Sequence, residues 1–441
     1  MPNTTVTANE PSQKKQSQKP TPSSKSPIGL LDWLSSRPWR GLVFAVFFCS
    51  LAPLVTFVFR GFAPALLFLL LAVPWTELRS RLPAINGAFF SRPVTQFWVA
   101  TAGFFLWAAL SGAWSAAPER WPWGLRLGGA MALAGLSLQA ALALPRRDRA
   151  LAEKVLVYAV FAAAALAAVE TASGLKLRAI LPPFEPPIRD NIQLGRGVLV
   201  LMVIIWPAVV VALRRRRLAP FAFGAVALAA VPAFGLVIQA NAVMLVLGAG
   251  AFLVGLKAPR AGLAAVFAAM VFMLWASPAL VGSLPLSETA DTWTEGPASW
   301  RQRLYIWERA GGEIYSQPLF GGGIGYARVL SRSGPTVPID GFDLSTMPMH
   351  PHSLFLHIWL ELGLVGAVLF TSVLVSLYRI CRRYFATRDS APAAVAIAMA
   401  FLVSALAEWE LWQVWRLGAV WVAAIAVIVC SAPLGTGDRR R

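Results

Sequence analysis

The chain has 441 residues, of which 57% are hydrophobic and only 14% charged, against about 25% charged in soluble domains. Its net charge of +18 does not point to nucleic acid. The basic residues fall in short connections and at the termini, as orientation signals do, and are not interleaved with aromatics as a stacking surface requires. Cys49, Cys381 and Cys430 lie scattered in or beside apolar runs, with no CxxC, so neither a disulfide framework nor a zinc site is suggested. Charges clustered between long apolar runs mark an all-α polytopic membrane protein.

Residues 1–36 are rich in Ser, Thr, Pro, Gln and Lys and read as a disordered basic tail. The first apolar run starts too far in for a cleavable signal peptide. A basic tail before the first span places the N-terminus in the cytoplasm. Apolar runs of about 20 residues span a bilayer. They fall at 40–58, 61–77, 94–112, 122–144, 151–170, 197–213, 218–236, 239–256, 262–282, 353–377, 391–408 and 412–431. That makes about 12 spans, nine in 37–282 and three in 353–432, with both termini inside. Basic connections support the alternation: Arg79, Arg81 and Arg92; Arg146 to Arg149; Arg214 to Arg217; Arg379 to Arg388; and the tail 433–441. Two long segments, 171–196 and 283–352, then lie outside. The second is too long for a plain connection and is expected to hold helices of its own. Within it, SWRQRLYIWERAGGEIY reads as an amphipathic helix with Leu304, Trp307 and Ile314 on one side.

All three histidines lie in MHPHSLFLHIWLELGLVG, at the boundary between that segment and the tenth span. Pro351 biases His350 away from helix, and Ser353 is a good N-cap. His352 is therefore placed at a helix N-terminus, where a neutral imidazole can accept a proton from a sugar hydroxyl; the plain alternative is an interfacial histidine bonded to a carbonyl. Arg301 and Arg303 are too close in sequence to share a helix face. A guanidinium fork suits a phosphate or diphosphate; the alternative is a solvated helix face. Gly321 and Gly323 sit in a turn whose amides can meet an anion, although any tight loop uses such a run. Arg189 and Arg196 flank the other outer loop and add positive charge there, or simply snorkel. Glu361 inside a span must face protein, orienting His357 or closing a helix contact. Glu170, Glu408 and Glu410 read as structural. No metal cluster, catalytic triad or nucleotide loop is visible in the pattern.

The order of these parts resembles the O-antigen ligase and O-antigen polymerase superfamily of bacterial membrane glycosyltransferases. RLYIWERAGGEIYSQPLFGGGIGYA is similar to its pattern of Arg, a spaced Trp and Pro-Leu-Phe-Gly-x-Gly. His352-Ser353, nine residues, then Gly363 and Gly366 is similar to its His-(Asn/Ser)-x9-Gly-x-x-Gly pattern. The matching stretch covers about 300–370. The resemblance implies an undecaprenyl-diphosphate-linked glycan as donor, lipid A–core or another glycan as acceptor, a periplasmic site in the inner membrane, and neither metal nor cofactor. Carried over, His352 is the base or acceptor-orienting residue and Arg303 holds the diphosphate in a one-step inverting transfer. Arg196, Arg301, Gly321, Gly323, His350 and Glu361 are candidate substrate-binding residues. Where the family often has Ser-Arg at the start of a span before the large loop, this chain has Ala240-Asn241. Arg196 or Arg301 then stands in for the missing charge. The leaning is to ligation onto lipid A–core. A polymerase of lipid-linked repeats, a protein O-oligosaccharyltransferase and, from another class, a polysaccharide or lipid-carrier transporter are the alternatives.

Overall fold

The apolar runs fold as helices, the open-chain structure that satisfies its own backbone hydrogen bonds in lipid. The computed structural model describes residues 3, 39–75, 92–180, 190–386 and 388–431. The tail at 1–36, Arg79, Arg81, Arg189 and the C-terminal arginines lie outside these. Arg40–Arg441 form a single unit. Its helices are α1 (Trp39–Cys49), α2 (Leu51–Thr56), α3 (Phe62–Phe68), α4 (Pro93–Leu110), α5 (Pro122–Leu142), α6 (Arg146–Ala172), α7 (Asp190–Arg214), α8 (Ala219–Gly235), α9 (Ala240–Lys257) and α10 (Pro259–Ser283). Then come α11 (Leu286–Thr292), α12 (Ala298–Ser316), α13 (Tyr326–Ser333), strands β1 (Thr336–Ile339) and β2 (Phe342–Ser345), and helices α14 (Leu354–Tyr384), α15 (Ala391–Ala407) and α16 (Val414–Cys430).

Among the described residues, nine helical segments are long and apolar enough to cross a membrane. Three shorter apolar helices, Phe59–Ala72, Ala391–Ala407 and Val414–Cys430, lie where the sequence places the second, eleventh and twelfth spans. The protein is a multi-pass, all-α membrane protein. Helix α7 is apolar around its whole circumference and is its axis: Val198 to Ile205 are all buried, and α2, α6, α8, α9, α15 and α16 pack around it. It begins earlier than the apolar run 197–213, so Arg196 lies on a helix rather than in a loop.

The segment between α10 and α14 is partly helical, as its length requires. It also contains an antiparallel hairpin that composition did not signal, paired from Thr336↔Ser345 to Ile339↔Phe342. Its turn is Asp340-Gly341, both at positive φ, the dipeptide and conformation of a two-residue hairpin turn. So short a ribbon needs outside support. Arg301 of α12 pairs with Asp340 at 2.9 Å, and Gln302 Nε2 donates to the Ser345 carbonyl at 3.0 Å. The buried face of α12 is Arg303, Ile306, Ala310, Gly311 and Ile314, so Leu304 and Trp307 flank it rather than form its centre.

Helix α14 breaks at Gly363, whose φ of 60° and ψ of −158° are non-helical. A break inside a membrane helix frees backbone groups that lipid cannot satisfy. The glycine-rich loop after α12 takes them up. Gly322 N–H donates to the Leu360 carbonyl and Gly323 N–H to the Glu361 carbonyl, both at 2.9 Å, while Leu364 N–H donates to the Pro318 carbonyl at 2.9 Å and Val365 N–H to that of Leu319 at 3.3 Å. Trp107 Nε1–H donates to the Leu362 carbonyl at 3.1 Å. The fit excludes side chains: a Cβ on Gly363 would lie 2.5 Å from the Leu319 oxygen, and one on Gly321 would lie 2.6 Å from the Glu361 carbonyl carbon. The two sequence motifs are thus halves of one backbone interlock.

Candidate functional site

At the end of the bundle where α14 begins, His350 and His352 lie with ring centroids 4.3 Å apart. His352 has a φ of 56°, an uncommon and strained value for a residue with a side chain. Its N–H donates to His350 Nδ1 at 3.2 Å. With Nδ1 accepting, the proton of neutral His350 sits on Nε2, which faces Glu410 Oε2 at 3.7 Å. Trp307, one turn after Arg303 on α12, donates from Nε1 to the Pro351 carbonyl at 3.0 Å and pins the turn between the histidines. Ser353 occupies the N-cap of α14 with extended backbone, but its hydroxyl makes no capping bond. His352 Nδ1 is buried and has no hydrogen-bond partner among the described residues. Burial, reinforced by Arg303, Arg416 and Arg196, pushes the His352 pKa down to about 3. Burial and the neighbouring His352, His357, Arg416 and Arg196 also hold His350 well below the usual imidazole value. Both rings are therefore neutral at pH 7.

Arg303 lies against the last two helices. Its Nη2 meets Glu408 Oε1 at 2.5 Å, its Nε donates to the Ala407 carbonyl at 3.2 Å and its Nη1 to that of Ser299 at 2.9 Å. Trp300 lies under the guanidinium, 4.9 Å to the ring centroid. Glu410 is held by Arg328 of α13 at 2.7 Å and by the Gln413 side-chain amide. Arg416, in the first turn of α16, donates from Nε to Gln413 Oε1 at 2.7 Å and packs on Trp415 at 4.6 Å. Arg196 lies 5.7 Å over Phe59, which packs edge-on against Trp415 at 4.7 Å. Four guanidinium groups thus converge with two carboxylates and two neutral imidazoles.

Glu361 turns inward instead. It accepts N–H bonds from Gly325 at 2.8 Å and Ala327 at 3.1 Å, and the Trp412 Nε1–H at 2.6 Å. Its carboxylate thereby caps the N-terminus of α13 from another helix, where negative charge is favoured. His357 Nδ1 accepts the Leu411 N–H at 3.2 Å, and its Nε2 lies 3.2 Å from Glu361 Oε1 but out of hydrogen-bond alignment. The amides of Gly322 and Gly323 are engaged in the α14 interlock, and Gly321 N–H bonds to the Gln317 carbonyl. Arg301 is drawn to the hairpin turn and, unlike Arg303, has a carboxylate partner outside the histidine cluster. Asn241 is buried, its Nδ2 donating to the Gly195 carbonyl at 2.9 Å beside Arg196. The position without the family arginine thus braces the helix turn that carries another one. Among the described residues, no group of three or more His, Cys, Asp or Glu could hold a metal ion.

Residues 192–371 match the family model described as O-antigen ligase. The matched stretch is less than half of the chain. It runs from the start of α7 into α14 and includes Arg196, Arg303, Arg328, His350 and His352. Similar relatives are provisionally named polysaccharide ligases. One from Rickettsia conorii is 24% identical over 153 residues, 34% of this chain and 36% of that protein. One from Rickettsia felis is 22% identical over 152 residues, covering 34% and 37%. One from Rickettsia prowazekii is 26% identical over 126 residues, covering 28% and 31%. The chain thus spans about a third of the length of the curated relatives it matches.

Part of the cluster lies beyond the matched stretch, where no local sequence pattern marks it. Glu408 and Glu410 read as span-end residues, yet each faces a guanidinium of the site. Arg416 drew no attention because it is a single cation near the start of an apolar run. Its usable signal was that ionisable residues inside spans are rare and face protein or a cavity. Arg328 carried no pattern at all, since only the folding of α13 against α14 brings it to Glu410.

Proposed function

We propose that this chain is a membrane glycosyltransferase that moves a glycan from an undecaprenyl-diphosphate carrier to lipid A–core at the periplasmic face of the inner membrane. The observation that carries the reading is His352: a strained residue whose Nδ1 is buried and partnerless, facing Arg303, Arg416 and Arg196. An imidazole beside an excess of guanidinium groups suits the joining of a hydroxyl to a carbon that is losing a diphosphate. The family description and the relatives' names support ligation over the other acceptors.

In this mechanism the acceptor hydroxyl attacks the anomeric carbon as the bond to the diphosphate oxygen breaks. The hydroxyl proton passes to His352, and direct attack inverts the configuration. Charge grows on the departing diphosphate, so arginines that bind it more tightly as it leaves lower the barrier. Arg303 holds the diphosphate, with Arg196 adding charge. His350, fixed between His352 and Glu410, orients the base. Glu361, Gly321 and Gly323 hold the frame that presents these groups, and Arg301 keeps the hairpin beside them. Burial, and after it the charge of Arg303, Arg416 and Arg196, depresses the basicity of His352; a diphosphate arriving at those arginines offsets their part. Glu408 is displaced or shared when the diphosphate takes its place on Arg303.

The test is to express His352→Ala and Arg303→Ala separately in cells lacking the native protein and to resolve lipopolysaccharide by gel. Loss of O-antigen from lipid A–core with the mutants at normal levels is expected. Normal glycan with well-expressed mutants contradicts the assignment, and a knockout that retains a single repeat unit on lipid A–core identifies a polymerase instead.

A further inference from the structure

We infer that Arg416, outside the stretch that matches the O-antigen ligase model, is a diphosphate-binding residue that holds the phosphate nearest the last helix. The inference rests on the lipid-diphosphate reading above. Three observations carry it, and each is a cost to the ligand-free protein. Arg416 is buried, at 3% exposure, and a buried charge needs compensation. Among the described residues no carboxylate lies within ion-pair distance of it, although its neighbours Arg303 and Arg328 each have one. Its Nη1 is buried and has no hydrogen-bond partner. Its place compounds the cost. It stands in the first turn of α16, where the helix dipole already presents positive charge and disfavours a cation.

The residues around Arg416 fix it in place, and the carboxylates it faces, Glu408 and Glu410, lie beyond ion-pair distance. Gln413 Oε1 accepts from Nε, and the Trp415 and Trp409 rings lie 4.6 and 5.8 Å from the guanidinium carbon. Electrostatically it faces Glu408, Glu410 and Arg196 together with His350 and His352. A pinned guanidinium with a free edge, at a helix N-terminus and beside further arginines, is a site for a multivalent oxyanion.

The experiment uses the full chain in lipid nanodiscs, with farnesyl diphosphate and farnesyl monophosphate as probes. Affinity and ligand-free melting temperature are measured for wild type, Arg416→Gln and Arg416→Lys. Wild type is expected to prefer the diphosphate. Arg416→Gln is expected to weaken diphosphate binding tenfold or more and to close the gap to the monophosphate. Its ligand-free melting temperature should stay level or rise, because an uncompensated charge is gone, and Arg416→Lys should recover part of the affinity. Wild-type diphosphate affinity in Arg416→Gln, or a lowered melting temperature with affinity intact, would make Arg416 a packing residue and overturn the inference. Failure of wild type to bind the diphosphate at all overturns the lipid-diphosphate reading itself, and the inference with it.

Discussion

The two ends of α16 treat a buried arginine in opposite ways. At its C-terminus Arg149, from the first turn of α6, donates to the carbonyls of Ile428, Val429 and Ser431, and also to Ala141. A cation belongs there: it meets carbonyls of the last turn, at the negative end of the dipole, and of its nitrogens only Nε is buried without a partner. Nearby charges are also matched. Glu153 bridges Arg214 and Arg215 at 2.9 and 2.7 Å, and Asp148 accepts the Gly41 N–H at 3.1 Å. At its N-terminus Arg416 stands at the wrong pole, with Nη1 unmatched. One end meets its cation with several backbone carbonyls; the other leaves it, among the described residues, without a carboxylate at ion-pair distance.

Mutations can break this contrast. The largest effect is expected at Arg149. Arg149→Met removes the donor to the Val429 and Ser431 carbonyls, while those of Ile428 and Ala141 keep backbone N–H partners, and should cost about 3 kcal/mol, since hydrogen bonds to charged groups each contribute roughly 1.5–3 kcal/mol. Thermal unfolding in detergent measures it, and an unchanged melting temperature would remove the distinction between the two ends. Next is Gly363→Ala, which forces a side chain into positive φ and against the Leu319 carbonyl. A loss of about 2 kcal/mol is expected, read as lowered yield and melting temperature. Unaltered stability would show that the interlock of α14 is not tightly built.

The histidines give a pH signature of the unsatisfied end. His352 is held at about 3 against an ordinary 6.5. Above about pH 6.5 it is neutral in both the folded and the unfolded chain. As pH falls from 6.5 toward 3 the unfolded chain takes up a proton that the folded chain refuses, so folding loses stability across that window. His350 acts in the same direction. Melting temperatures from pH 7.5 to 4.5 should fall less steeply in His352→Gln than in wild type; parallel curves would mean that His352 is not the depressed group. The smallest effect is expected at Arg301, whose partner Asp340 is exposed. Arg301→Ala should change stability by less than about 1 kcal/mol, as surface pairs do.

Much of this was legible in the sequence, for stated reasons. Apolar length placed the membrane-length helices, because lipid leaves the backbone few alternatives. His352 and Arg303 stand out as candidates because each sits in a local pattern. The pairings were not legible. Arg303 meets Glu408 across 105 residues and Arg328 meets Glu410 across 82, and no local period encodes such distances. Glycines 321 and 323 read as a loop open to an anion, because the sequence did not reveal that α14 breaks at Gly363 and claims that loop's backbone. The hairpin was missed because Asp340-Gly341 lacks flanking strands long enough to alternate visibly.

The central claim is that the histidine–arginine cluster carries out glycan transfer from a lipid diphosphate. Its most direct test is reconstitution of the purified full chain in proteoliposomes with an undecaprenyl-diphosphate-linked glycan and lipid A–core, comparing wild type with His352→Ala. The account predicts transfer by wild type, with inversion at the anomeric carbon, and a loss of at least a hundredfold in His352→Ala, within the ~10²–10⁴-fold range of a general base. Wild-type rates from a folded His352→Ala protein would contradict it.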